Sequence, residues 1–211
     1  MFRLRYLPVL FIFLASVLRA ESPASQPTSQ PAEQAQETPK ATLKTFAAAT
    51  RDADASKLRS CLYAGNALDE KMATAMVELI VSVSHLRQAA VEKFGVLNAK
   101  DFQGDIPTDD DLKRIEEADE KIDGDRAFVS MKGTRQDGPM RLIRVDGAWK
   151  IPVGLSIAGR KTDAVEAQIA QMKFTATATN EVAKAITDGK YDTPKDAITA
   201  LQAKLRSHLK R

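Results

Sequence analysis

Few residues in this chain have the type and spacing that chemistry needs. Its 211 residues include one cysteine and two histidines, Cys61, His85 and His208. An ordinary structural zinc site takes four such ligands, so these cannot build one. Three aspartates stand together at Asp109, Asp110 and Asp111. A calcium loop instead spaces its ligands and turns on a glycine. Adjacent acids behind Thr108 suit the first turn of a helix, where the dipole favours negative charge. There is no His-Glu-x-x-His pair, Gly-rich phosphate loop or Gly-x-Ser-x-Gly elbow. No cofactor and no metal are expected.

Binding is better served than catalysis. Arg144 and Trp149 flank the turn at Asp146-Gly147, which sets them opposite each other. A cationic group beside an indole can orient an anionic ligand. Tyr63 could reach the same region from a short helix. Arg144, Trp149 and Tyr63 are therefore the ligand-binding candidates. The plainer readings are a structural cross-strand pair and an amphipathic core tyrosine. His85, beside Leu86, reads as a surface or core-margin residue, and His208 lies near the end of the chain. Cys61, between Leu58 and Leu62, reads as buried and inert. No histidine or acid stands close enough in sequence to suggest an activated thiolate. A single cysteine also leaves an exported chain without an internal disulfide.

Export is expected from the first 20 residues. Arg3 and Arg5 precede an apolar run from Leu7 to Leu18, and Ala20 offers a small residue for cleavage. That is the pattern of a secretory signal peptide. The run has 12 residues, whereas a spanning helix needs about 20, so an N-terminal membrane anchor is the alternative. The chain carries a formal charge of +3, and Arg3, Arg5 and Arg19 account for that excess. The mature chain is then near neutral, which gives no support for nucleic acid as a partner. Residues 21–37 are Ser, Pro, Gln, Ala, Thr and Glu without a large apolar side chain. They read as a disordered linker.

The elements that must position the candidates follow. Thr38-Pro39 starts a helix carrying Leu43, Phe46 and Ala47, and a second short helix carries Leu58, Cys61 and Leu62. Asn66 caps a long helix whose apolar stripe is Leu68, Met72, Met76, Leu79, Val83, Leu86, Ala90 and Phe94, with Gly95 as its stop. Four strands are expected at Ile115–Ile122, Arg126–Gly133, Met140–Val145 and Ala148–Val153. Their turns fall at Asp123-Gly124, Asp137-Gly138 and Asp146-Gly147, dipeptides that favour type I′ hairpins. Met140, Leu142, Trp149, Ile151 and Val153 would share one face, under the long helix. The acids Glu116, Glu117, Asp119 and Glu120 suit an edge strand. A helical pair follows between residues 162 and 210, with Thr193-Pro194 starting its second member. The fold class is α+β: N-terminal helices, one of them long and packed on a curved antiparallel β-meander of about four strands, plus a C-terminal helical pair. The expected domains are a 1–20 signal peptide, a 21–37 linker, a 38–154 α+β domain and a 155–211 helical extension.

Three stretches resemble the nuclear transport factor 2-like superfamily, the cystatin-like α+β cone. Residues 38–62, TPKATLKTFAAATRDADASKLRSCL, look like its opening helices. Residues 121–131, KIDGDRAFVSM, look like its first tight hairpin, and residues 138–154, GPMRLIRVDGAWKIPVG, like its closing one. The resemblance covers residues 38–154 and implies a cone whose enzymes use a carboxylate base, sometimes with histidine, and a tyrosine or acid donor. It also implies many binding modules, and fold alone does not choose. The expected strands two to four carry no Asp, Glu, His or Tyr between their turns, so no catalytic residue is carried over. The expected function is an exported non-catalytic module, binding a small apolar molecule or an envelope protein. The alternatives are a structural protein docking a partner or a second copy, as in a homodimer, through the C-terminal helices, and a superfamily isomerase, dehydratase or cyclase.

Overall fold

The computed structural model describes residues 38–96, 98–102, 106–131 and 139–209. The signal peptide, the 21–37 linker and the Asp137-Gly138 turn lie outside the described residues. What is described is α+β, with six α-helices and an open five-stranded sheet.

Local signals set the helix ends. The Thr38 hydroxyl accepts from the Ala41 N–H and opens α1 (Pro39–Asp52). Ala53 ends it in the left-handed region at φ 56°. Asp54 then accepts from the Lys57 N–H at 2.9 Å and opens α2 (Ala55–Cys61). Asn66 caps α3 (Ala67–Phe94), accepting from the N–H groups of Leu68 and Asp69. Gly95, at φ 81°, ends it. The C-terminal pair is α5 (Thr162–Thr187) and α6 (Pro194–Leu209). The Asp196 N–H donates to the Thr193 hydroxyl, which donates in turn to the Asp196 carboxylate.

The first expected strand needs correcting. Ile115 and Glu116 close a helix, α4 (Asp109–Glu116), and the strand starts at Asp119. Thr108 and Asp111 form a reciprocal capping box that nucleates α4. Leu112 and Ile115, three apart, then turn toward Leu43 and Ala47 of α1. Burial of Ile115 rewards the helix beyond the acid-rich first turn.

Strands β2 (Asp119–Asp123), β3 (Arg126–Ser130), β4 (Met140–Val145) and β5 (Ala148–Pro152) form the antiparallel meander. A fifth strand, β1 (Leu62–Tyr63), joins β5 in parallel, so the sheet is mixed, with β2 at its free edge. Those two residues look like a helix end in sequence, and pairing with Ile151 and Pro152 makes them a strand. The β4–β5 register is as expected, Arg144 facing Trp149 and Val145 facing Ala148. Asp146 and Gly147 both have positive φ, as a type I′ turn requires. The β2–β3 loop is one residue later than expected. Asp123 pairs with Arg126, so Gly124 and Asp125 make the turn, and Gly124 takes the positive φ. Glycine at that first position is the type II′ solution.

The long helix meets the sheet at the β1–β5 edge, where Leu62 and Ile151 pack with Met72, Leu79 and Val153. The middle of the meander is covered differently from expectation. Leu43 and Ala47 of α1, with Ile115 of α4, lie against Ala127, Val129, Leu142 and Trp149. The reason is the reach of α3. It is buried on more than its main stripe, at Ala73, Ala75, Val77 and Ile80 as well, because α5 packs along it. Val165, Ile169, Met172 and Ala176 of α5 share its first core cluster. Leu86 and Ala90 of α3 share a second with Val182 and Ile186 of α5 and Leu201 of α6. Ser84 of α3 donates to the Thr50 carbonyl of α1 at 2.6 Å, tying these layers together.

Candidate functional site

Arg144 and Trp149 are brought together as the turn chemistry dictates. The Arg144 guanidinium carbon lies 5.8 Å from the centroid of the Trp149 ring, within cation–π range. Its Nε donates to the Gly147 carbonyl of the same turn at 3.4 Å. Trp149 is only 4% exposed, packed among Leu43, Ala47 and Leu142. A ligand could touch the guanidinium at the rim, but the indole is committed to α1. Its backbone carbonyl is committed too, accepting from the buried Thr42 hydroxyl at 3.1 Å.

Tyr63 does not join them. It pairs with Pro152, three residues beyond Trp149 along β5. At about 3.3 Å per residue that is about 10 Å away. Tyr63 instead lies near Gly65 and Asp69, at the start of α3. Asp69 stands in the first turn of α3, where the helix dipole alone would account for an acid. It is 5% exposed, and its Oδ2 accepts from the Gly65 N–H at 3.0 Å. A Cβ on Gly154 would sit 2.7 Å from that oxygen. A carboxylate and a phenol therefore share one neighbourhood, but the acid is wedged between two glycine backbones. It locks the head of α3 to the segment after β5. The glycine at 154, just past a strand end, was the sequence signal for a close approach there.

Three further acids, Glu120, Asp109 and Asp111, make structural contacts. Glu120 accepts from the Lys40 N–H at 3.1 Å, and the Lys40 ammonium donates to the carbonyls of Glu116 and Ala118. These bonds pin the start of α1 to the α4–β2 corner. Asp109 pairs with Arg51 at 2.8 Å. Thr108 holds the Asp111 carboxyl below the usual aspartate range by donating its N–H and hydroxyl to it. Among the described residues, no group of three or more His, Cys, Asp or Glu could hold a metal ion. His85 is exposed and Cys61 is buried. The His208 side chain lies outside the described residues.

The sheet's other face is the one the sequence reading passed over. On β3, Ala127 and Val129 are buried beneath α1, so Arg126, Phe128 and Ser130 turn the other way. Pairing carries that side across the sheet to Lys121 and Arg141, which flank Phe128, and to Ile143 and Lys150, which follow Arg126. Phe128, Ile143 and Val145 are half-buried yet join none of the three core clusters. On this side the Lys150 ammonium reaches the Ser60 carbonyl at the end of α2. Arg141 sits over the Phe128 ring at 5.7 Å. An open depression of about 390 Å³ lies at the β2–β3 end, lined by Asp119, Glu120, Lys121, Phe128, Ser130 and Pro139.

Comparison of the chain with family models, curated proteins and solved structures found no match in any of the three. Among the described residues, no helix is long and apolar enough to cross a membrane.

Proposed function

We propose that this chain is an exported, non-catalytic accessory module that works by binding a protein of the cell envelope. Export is supported by the Arg3 and Arg5 charges, the apolar run to Leu18 and the small residue Ala20. A nuclear transport factor 2-like cone is the fold reading that goes with it. Its support is the order of two short helices, a long helix and an antiparallel meander. The parallel β1 and the intervening α4 stand apart from the pattern that suggested it.

One observation favours a protein over a small apolar ligand. The helix side of the meander, where a cone would open its pocket, is packed with Leu43, Ala47, Ile115, Leu142 and Trp149. Protein interiors filled in this way leave a ligand nothing to occupy without displacing side chains. An assembly role for α5 and α6 has less support, because their apolar stripes are spent on α3.

The test joins a thermal-shift screen of small apolar molecules with site-directed photo-crosslinking of the full chain in a host that exports it. The expected result is an unmoved melting temperature and a discrete crosslinked protein adduct. A reproducible rise of several degrees with a small molecule, and no adduct from any surface, would replace this reading with a ligand-binding one.

A further inference from the structure

We draw no further inference here: the strongest candidate, the half-buried Arg87 side chain on α3, whose Nε is buried without a hydrogen-bond partner among the described residues, carries nothing because it is a single polar group and nothing in the structure shows what ligand it would hold.

Discussion

The hydroxyl of Thr42 and the backbone carbonyl of Trp149, 107 positions apart, meet in a buried hydrogen bond of 3.1 Å. It fastens α1 onto β5, and with it the apolar side chains that fill the helix side of the meander. Replacing Thr42 with valine keeps the shape and leaves the carbonyl without that donor. An acceptor stranded in a core costs about 1–3 kcal/mol. Urea unfolding followed by Trp149 emission should show a lower midpoint with an unchanged slope, and Thr42→Ser should recover most of the loss. An unshifted Thr42→Val midpoint would show that the bond does not hold α1 down.

Asp69 and Gly154 form the second fastening. A methyl at position 154 would meet Asp69 Oδ2 at 2.7 Å, closer than a carbon and an oxygen approach. Gly154→Ala should therefore destabilise by about 1–3 kcal/mol, the cost of forced overpacking. In an Asp69→Ala background the same substitution should cost much less, although Asp69→Ala alone strands the Gly65 N–H. The coupling is read as the non-additive part of a double-mutant cycle. Strict additivity would mean that the two residues do not press on each other.

Acid should act on the α4 cap. The Thr108 N–H and hydroxyl hold the folded pKa of Asp111 below its ordinary value of 3.8. A carboxyl with a depressed folded pKa contributes stability that is complete above the unfolded value. The contribution disappears as pH falls through the folded pKa. Wild type should thus exceed Asp111→Asn in stability by a constant margin at neutral pH, and the margin should shrink below pH 3.8. Urea midpoints measured from neutral to strongly acidic pH give the margin directly; one that grows toward acid would contradict the cap.

Removing residues 160–211 should unfold the rest. The cut takes away Val165, Ile169, Met172, Val182 and Ile186, all buried in clusters shared with α3. Each such side chain contributes about 1.5–3 kcal/mol. Five of them approach the whole net stability of a domain, about 5–15 kcal/mol. The truncated chain should lose cooperative thermal unfolding and far-ultraviolet helix signal. A stable monomer would instead make α5 and α6 an appendage to an independently folding remainder.

How much was legible follows from the range of each signal. Caps at Thr38, Asn66 and Thr193, the stop at Gly95 and the positive-φ turn at Asp146-Gly147 act within a few residues, so residue types alone exposed them. So did the register that sets Arg144 against Trp149, because a two-residue loop leaves one pairing. Hydrophobic spacing located α3 and α5, since a 3.6-residue period needs no partner to be seen. The helix start at Thr108, with its acidic first turn, was readable as well, but its extent to Glu116 was not. That depended on Ile115 finding Leu43 and Ala47, far away in the chain.

What the amino-acid order determined by itself was most of the helices and the meander, many of their caps and turns, and the scarcity of reactive groups. Tertiary structure alone decided which surfaces met. It placed α1 over the meander and gave α3 a second companion in α5. It turned Leu62 and Tyr63 into a strand, buried Asp69 against Gly154, and set Arg126, Phe128 and Arg141 on the side of the sheet away from α1. The physical reason is that an apolar stripe specifies burial without specifying its partner. Hydrophobic attraction is non-directional, and the choice among partners is settled only when all the surfaces compete for one another at once.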